Sequence, residues 1–504
     1  MQKNVLEYLE NTVIGFPDKI AFTDGKKGLS FKEIYSRARV VGSALKPYSG
    51  ALIIVSMEKS PEMISAFFGV AYSGSVYVPL DSAMYTKHIS SIIAKLSPAA
   101  AVCDAKSADR LREVGYNGDI HLYEELITAE EDAAFLDMAR QKQIDTDLLY
   151  IVFTSGSTGE PKGVAASHRS VISYIDNLAD ILGVAEDTVF GNQVPLYLDA
   201  CLKEVYCTVK RGACTYLIPK TLFMFPVRLI EYLNEHRINT VCWVSSALSL
   251  ISGLGALEAA KPEHFRTVAF GSEIFPVKQV LAWLDALPDA RFINLYGPTE
   301  ATGMSCFYEV DRRYPIVDSV PIGRAFPNVD VFLISDGQRV TEPETQGLIH
   351  IRGAGIAPGY YNDSERGREV FVQNPLQSNY REYVYNTGDI GKYNVRGELV
   401  YVCRNDSQIK RHGYRIEIME VELAAGEIEG VAAAICVYSA RFDNISLYYC
   451  GQPDEKALAG LLKKALPYYM LPNRFIKLEA MPKLDNHKID RALLLKDLEE
   501  SLDG

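Results

Sequence analysis

The sequence predicts an α/β protein: a large N-terminal domain of layered α/β sheets, with a β-rich subdomain, and a small α+β C-terminal domain. Near-continuous apolar runs alternate with helical patterns over most of the chain, as in largely parallel sheets covered on both faces. Between about residues 321 and 402 the runs are shorter and separated by Gly, Pro and Asp, which indicates β-structure. The segment after Arg404 is polar and charged, so we place the domains at 1–404 and 405–504.

Individual elements follow from the apolar runs in chain order. The runs that predict strands of the large domain are ALIIVSM (51–57), AAAVCDA (99–105), TDLLYIVFTS (146–155), INTVCWVSS (238–246), FRTVAFGSE (265–273) and ARFINLYG (290–297). Candidate helices are Pro61–Tyr72 and Pro226–His236. In the β-rich part, VDVFLIS (329–335) and GLIHIRG (347–353) predict strands.

Composition narrows the function classes. The 504 residues are 48% hydrophobic, enough for large cores, and the formal net charge of -12 argues against a general nucleic-acid partner. There is no signal-peptide pattern and no apolar stretch of about 18 residues, so neither export nor a membrane partner is expected. Nine scattered cysteines without a C-x-x-C pair fit a reducing cytoplasm and give no support for structural zinc.

A loop rich in glycine and hydroxyl groups follows one of these strands. In YIVFTSGSTGEPKGV (150–164), small residues can expose backbone N–H groups to an anion, the hydroxyls add donors, and Lys162 adds positive charge. This chemistry suits a polyphosphate. Pro161 occupies the place where a Walker loop needs its second glycine, so the loop is not of that type. A mobile surface linker is the alternative interpretation.

The loop resembles the phosphate-loop motif of adenylate-forming enzymes, the superfamily of acyl-CoA synthetases, luciferases and nonribosomal peptide adenylation domains. The resemblance spans nearly the full chain. Further segments match the family's motifs in the expected order: YVPLD (77–81), NLYGPTEAT (294–302), GYYND (359–363), YNTGDI (385–390), LPYYMLPNRF (466–475) and NHKIDR (486–491).

The resemblance implies ATP and Mg²⁺ as cofactors and assigns a catalytic set. Thr299 bonds to the α-phosphate, Glu300 ligates Mg²⁺, and Lys488 bridges the substrate carboxylate and ATP oxygens. Asp406 matches the hinge on which a mobile C-terminal domain rotates. The alternatives are a surface acid for Glu300 and an exposed tail lysine for Lys488.

The same resemblance implies a nucleotide site in which Tyr296 stacks on adenine and Asp389 binds the ribose hydroxyls. The alternatives are a turn role for Asp389 and a solvated surface lysine at 162. The full nucleotide-binding set is Thr154, Ser155, Gly156, Ser157, Thr158, Gly159, Lys162, Asn294, Tyr296, Thr299, Asp389, Arg404 and Lys488.

The substrate is implied to be an amino acid. In GNQVPLYLDACLKEVY (191–206), Asp199 falls where amino-acid-activating members carry the partner of the α-ammonium. An acid in an apolar pocket is costly without such a cation; a helix N-cap is the alternative. The pocket positions of the family map to Asp199, Ala200, Lys203, Cys242, Ala269, Gly271, Leu295, Gly303 and Met304.

Lys203 bears on which amino acid is used. A lysine in the pocket could pair with an acidic side chain, or it could face solvent from the far side of its helix. D-Alanine–D-alanyl carrier protein ligases, which the chain also resembles, have an apolar residue there and a cysteine in place of Gly271. We therefore favour a freestanding amino-acid adenylating enzyme, with D-alanine ligase as the alternative.

The acceptor is predicted to be a separate phosphopantetheinylated carrier protein, because the chain contains no G-G-x-S attachment site. Rotation about Asp406 would replace Lys488 by HGYRIE (412–417), in which His412 is interpreted as structural and a general base is the alternative. An acyl-CoA ligase is a less favoured interpretation. A nucleotide-binding protein without catalysis is disfavoured, because Lys488, Asp389 and Glu300 are all present.

Overall fold

The computed structural model describes residues 2–84, 86–154, 161–316, 319–404, 408–482 and 489–503. The chain divides into two compact units. The first unit comprises Met1–Ser82, Ile92–Phe153 and Gly163–Cys403, and the second comprises Ala83–Ser91, Thr154–Lys162 and Arg404–Gly504. The second unit thus includes two short segments that the predicted division, 1–404 and 405–504, places in the N-terminal domain.

The predicted α/β class is confirmed, with two large mixed sheets in the N-terminal part. In the described residues, the larger sheet has nine strands, in spatial order Arg324–Ala325, Cys306–Glu309, Arg291–Tyr296, Thr267–Gly271, Thr240–Val244, Val189–Asn192, Cys214–Leu217, Ile20–Thr23 and Gly28–Ser30. Its six central strands are parallel, and the edge strands are antiparallel. The strands predicted from INTVCWVSS, FRTVAFGSE and ARFINLYG are therefore neighbours at its centre.

The second large sheet carries the strand that leads into the glycine-rich loop. Its seven described strands are, in spatial order, Gly359–Tyr360, Lys162–Ser167, Leu148–Thr154, Val76–Pro79, Leu52–Ser56, Ala100–Cys103 and Asp119–Leu122. Residues such as Ile53, Val55 and Ala100 are fully buried, which explains why these strands have no polar alternation in the sequence.

The predicted β-rich subdomain is an antiparallel sheet. Its strands are Gln338–Val340, Val329–Ser335, Gln346–Gly353, Tyr383–Tyr393 and Phe371–Gln373, with Leu399–Arg404 paired to Tyr383–Tyr393. VDVFLIS forms its strand over the predicted residues.

The C-terminal part of the second unit is α+β, as predicted. A two-stranded hairpin, Gln408–Arg411 with Tyr414–Glu417, precedes a sheet of Val431–Ser439, Asn444–Gly451 and Arg474–Lys477. Helices Ile418–Gly426, Glu455–Ala465 and Arg491–Asp503 accompany them. Ile416, Val421, Leu447 and Leu458 belong to its own buried core.

Helices accompany the sheets of the N-terminal part of the chain. They are Leu6–Gly15, Phe31–Ala44, Pro61–Tyr72, Thr86–Leu96, Ala105–Glu113, Tyr123–Leu126, Ala133–Lys142, His168–Leu182, Leu202–Arg211, Pro226–Glu235, Ser245–Gly253, Ala256–Ala259, Val277–Ala286 and Ser364–Val370. Short 3-10 turns occur at Lys46–Tyr48, Asp199–Cys201, Lys220–Met224, Thr299–Ala301 and Tyr468–Met470. Among the described helices, none has the length and apolar character needed to cross a membrane.

Candidate active site

The NLYGPTEAT segment forms a tight turn at the end of a central strand. Strand Arg291–Tyr296 runs into the 3-10 turn Thr299–Ala301, and Thr302 and Gly303 then take positive φ angles of 54° and 99°. A Cβ on Gly297 would lie 2.2 Å from the Gly303 carbonyl oxygen, so the turn closes only around glycine. This backbone places Thr299 and Glu300 directly after the C-terminal end of the strand.

Glu300 is fully buried and does not face solvent. The Tyr360 hydroxyl donates to its Oε1 at 2.6 Å, and the Ala357 N–H donates to its carbonyl oxygen at 2.8 Å. The surface-acid alternative is therefore excluded. A single carboxylate of this kind fits a hard cation whose other ligands are phosphate oxygens and water. The described residues contain no cluster of three His, Cys, Asp or Glu that would bind a metal without such help.

Tyr296 and Asp389 meet in the first unit although they are far apart in sequence. The Tyr296 hydroxyl donates to Asp389 Oδ2 at 2.5 Å, and both residues are buried. Burial, and then the charge of Asp389, raise the pKa of Tyr296 well above its ordinary value, so the phenol stays neutral. Asp389 is further fixed by its own N–H, which donates to Thr387 Oγ1 at 2.9 Å. A carboxylate has lone pairs for additional donors, such as ribose hydroxyls.

Other predicted nucleotide residues have mixed environments. The Asn294 amide nitrogen donates to the Pro321 carbonyl at 2.9 Å and to that of Val320 at 3.3 Å, so it braces a loop beside the strand. Thr154 ends its strand with a buried hydroxyl that has no hydrogen-bond partner among the described residues. The positions that lie outside the described residues are Ser155, Gly156, Ser157, Thr158, Gly159, Asp406 and Lys488.

In the second unit, Lys162 is 8% exposed, which excludes a solvated surface lysine. Its Nζ lies 3.7 Å from Glu417 Oε1, and the Gln408 amide nitrogen donates to the same oxygen. Arg404 is half-buried at the end of strand Leu399–Arg404. That Lys162 and Arg404 contact the nucleotide stays a prediction.

The predicted substrate positions cluster on neighbouring elements of the first unit. Cys242 pairs with Ala269 across two parallel strands, and Gly271 pairs with Leu295 across the next two. Asp199 is the first residue of a 3-10 turn whose N-cap is Leu198, and the helix that follows, Leu202–Arg211, has Cys201 as its N-cap. The N-cap alternative for Asp199 is therefore wrong.

The charge of Asp199 acts on buried phenols around it. Burial is the main cause that raises the pKa of Tyr150 and Tyr174 well above their ordinary values, and Asp199 adds to both. Tyr174 also contacts the turn: a Cβ on Gly303 would lie 2.7 Å from its ring. Tyr174 and Met304 line one small cleft together. The surroundings of Tyr174 thus include Asp199, Gly303 and Met304. The sequence spacing does not reveal this proximity.

Lys203 is 3% exposed, so the solvent-facing alternative is wrong. Among the described residues Lys203 forms no salt bridge, and neither carboxylate oxygen of the adjacent Glu204 has a hydrogen-bond partner. Burial raises the pKa of the Cys242 thiol well above its ordinary value. The charge of Glu204 raises this pKa further, and the charge of Lys203 lowers it. Lys203 therefore acts electrostatically on a predicted pocket residue.

Sequence reasoning missed two charged residues here, Glu204 and Lys59. Glu204 is fully buried, and neither carboxylate oxygen has a hydrogen-bond partner among the described residues. Burial raises its pKa to about 7, against the opposing charges of Lys203 and Lys59. Lys59 donates to the Asn192 carbonyl at 3.0 Å and to that of Gln193 at 3.2 Å, while burial lowers its pKa to about 8. No sequence signal links Lys59 to this cluster, whereas Tyr360, the missed partner of Glu300, lies within the GYYND motif.

Replacing Gly271 by alanine is expected to lower the free energy of unfolding by at least 1–3 kcal/mol, roughly the cost of overpacking a core. An added Cβ would lie 2.1 Å from the Leu295 carbonyl oxygen, which belongs to backbone and cannot move aside cheaply. Urea unfolding measures the change. The matched control is Gly367→Ala in helix Ser364–Val370, where nothing lies within 4 Å; it should be neutral or stabilising. Equal effects at both positions would contradict the packing argument.

Comparison with known proteins places this geometry in a family. The AMP-binding enzyme model matches residues 9–361. Tyrocidine synthase 1 of Brevibacillus parabrevis is 30% identical over 504 residues, which cover 98% of this chain and 45% of the relative. Bacitracin synthase 1 of Bacillus licheniformis is 26% identical over 508 residues, covering 98% of this chain and 9% of the relative. The chain thus spans less than half the length of these two relatives.

A solved structure agrees over the whole chain. PA1221, an NRPS protein containing adenylation and PCP domains, superposes with a TM-score of 0.83 at 25% identity, covering 99% of this chain and 98% of that one. The family match extends over more than half of the 504 residues and includes the turn that carries Thr299 and Glu300. The chain therefore belongs to the AMP-binding enzymes.

Proposed function

We propose that the protein activates an amino acid with ATP as an aminoacyl-adenylate, releases pyrophosphate, and transfers the aminoacyl group to the phosphopantetheine thiol of a separate carrier protein. Membership of the AMP-binding enzymes supports the first half-reaction. In that step a carboxylate oxygen attacks the α-phosphorus and the bond to pyrophosphate breaks. Two anions must approach each other, so fixed donors and positive charge are required.

The proposed roles follow from the described contacts. Asp389, held by Tyr296 and Thr387, would bind the ribose hydroxyls. Glu300, steadied by Tyr360, would hold Mg²⁺, which offsets phosphate charge when bound. Thr299 would donate to the α-phosphate, and Asp199 would pair with the substrate ammonium.

The observation that carries the substrate class is the burial of Lys203 with no salt bridge among the described residues. Lys59 and Lys203 bring two amino groups to Glu204, which is the one carboxyl group of this cluster. Lys59 donates to two backbone carbonyls, which leaves the Lys203 ammonium for a substrate carboxylate. A buried net charge is costly. An acidic amino acid would supply the missing negative charge while its ammonium pairs with Asp199.

An ATP–pyrophosphate exchange assay with a panel of amino acids tests this proposal. Glutamate, aspartate and their relatives, in both enantiomers, are compared with glutamine, asparagine and D-alanine. We expect the highest kcat/KM for an acidic member, because only a carboxylate pairs with Lys203. Activity confined to small neutral amino acids would reject the role of Lys203, and activity with D-alanine alone would favour the D-alanine ligase alternative.

The matched variant is Lys203→Met, which keeps the length and removes the charge. Loss of one partner of a buried charge pair costs roughly 2–5 kcal/mol, so kcat/KM for the acidic substrate should fall by at least about 30-fold. For the neutral isostere of that substrate, glutamine or asparagine, kcat/KM should change little. A further assay offers preformed adenylate either a carrier protein or free coenzyme A. It distinguishes transfer to a carrier protein from acyl-CoA ligase activity.

A further inference from the structure

A small cavity lies beside Asp199 in the first unit. Leu202, Val205 and Tyr206 line it from one face of helix Leu202–Arg211, since residues three and four positions apart lie on the same side of a helix. Among the described residues, Asp199 is the one predicted substrate position in the lining. The cavity is therefore an addition to the predicted substrate pocket, and it meets that pocket at Asp199.

Four aromatic rings line this cavity. They belong to Phe67, Tyr77, Tyr150 and Tyr206, and each residue is at most 3% exposed. The rings of Phe67 and Tyr77 stack with their centroids 4.6 Å apart, and the centroid of Tyr150 lies 5.7 Å from that of Tyr77. The half-buried Asp199 adds a carboxylate to the same lining. Aromatic faces attract positive charge, and cages of such rings recognise methylated ammonium groups.

The size and polarity of the cavity suit one methyl group. Its volume is about 10 Å³, which is room for one water-sized group. A buried water makes about three hydrogen bonds, but the hydroxyls of Tyr77 and Tyr206 are already bonded to each other at 3.0 Å. The buried Tyr150 hydroxyl has no hydrogen-bond partner among the described residues and offers a single group. A methyl group needs no such partners, so it fits this lining better than a water does.

The negative potential of Asp199 extends to the aromatic lining. Its charge adds to the burial that raises the pKa of Tyr150 well above the ordinary value. An apolar group placed here is therefore favoured if it carries part of a positive charge. The methyl carbon of a methylammonium group does so, because the charge of the nitrogen spreads onto the carbon atoms bonded to it.

We propose that this cavity takes a methyl group on the α-nitrogen of the substrate, so that the protein activates N-methyl amino acids. The inference rests on the proposed function, in which Asp199 pairs with the substrate ammonium. The substituents of that nitrogen are then the substrate atoms nearest to the cavity. A methylated ammonium keeps its charge and N–H donors for Asp199, while its methyl group lies against the rings. The reacting carboxylate is the same as in the parent amino acid.

Pyrophosphate exchange with the full chain tests the choice of substrate. The best amino acid of the panel is compared with its N-methyl and N-ethyl derivatives. We expect kcat/KM for the N-methyl derivative to equal or exceed that of the parent. The N-ethyl derivative should be at least about 10-fold poorer than the N-methyl derivative, because one methylene in a hydrophobic pocket changes kcat/KM by roughly 10–200-fold. A lower kcat/KM for the N-methyl derivative than for the parent would overturn the proposal, as would equal values for the two derivatives.

Variants of Val205, which is 2% exposed, test the cavity itself. Val205→Ile adds one methylene, and we expect the ratio of kcat/KM for N-methyl derivative over parent to fall at least about 10-fold. Val205→Ala enlarges the space and should raise the ratio for N-ethyl over N-methyl derivative by a similar factor. The matched control is Val209→Ile, a buried position that, among the described residues of the same helix, does not line the cavity. Both ratios should be unchanged in the control.

The two Val205 variants act in opposite directions, so either one tests the proposal if thermal unfolding shows that the other does not fold. Ratios that match those of the Val209 control in a folded Val205 variant would overturn it. A failure of the proposed function looks different, because the unaltered protein would then show no pyrophosphate exchange with any amino acid, methylated or not. Normal exchange with the parent and none with its N-methyl derivative would leave the proposed function intact and reject this inference.

Discussion

Replacing Lys488 by alanine is expected to lower ATP–pyrophosphate exchange by roughly 10²–10³-fold, about the effect of losing one preorganised donor to developing charge. The flexible ammonium would bridge the substrate carboxylate and the α-phosphate oxygens, which repel each other without it. Exchange measured at saturating ATP and amino acid gives the loss in rate.

The control for this variant is Lys483→Ala, which removes a nearby lysine outside the NHKIDR motif. It should keep near-normal exchange, and both variants should unfold at the temperature of the unaltered protein. Near-normal exchange in the Lys488 variant would show that the motif is misassigned.

Replacing Asp199 by alanine is expected to lower kcat/KM for the amino acid by at least about 30-fold. The reason is that leaving a buried ammonium without its partner costs roughly 2–5 kcal/mol of binding free energy. The loss should fall mainly on KM for the amino acid, and KM for ATP should change little. Initial rates of exchange at varied amino-acid concentration measure both constants.

Asp199→Asn separates charge from shape, because it keeps the size of the side chain. A loss close to that of the alanine variant supports ion pairing with the substrate ammonium. If amino acids saturate normally in either variant, the assignment of the pocket is wrong.

Much of the fold was predictable because its strongest signals are local. The parallel strands at the centre of both large sheets read as unbroken apolar runs, and VDVFLIS formed its strand at the predicted residues. Helix Pro61–Tyr72 also has the predicted bounds, and helix Pro226–Glu235 ends one residue early. Such patterns depend on each segment burying its own face, which neighbours in sequence specify.

The candidate site was predictable only where a motif is contiguous. NLYGPTEAT marked Thr299 and Glu300, but Tyr360, which bonds Glu300, lies 60 residues away. Glu204 directly follows Lys203, but Lys59, whose charge also acts on Glu204, is far away in the sequence. Long-range pairs of this kind leave no periodic trace, because sheet topology sets which residues meet.

By itself, the sequence determined the α/β class, the order of the elements and the family, since burial patterns and motifs are written along the chain. Tertiary structure alone decided that Lys203 faces inward, that Asp199 does not cap a helix, and that Asp389 is bound by Tyr296. The physical reason is that the direction and the charge environment of a side chain depend on the elements packed around it.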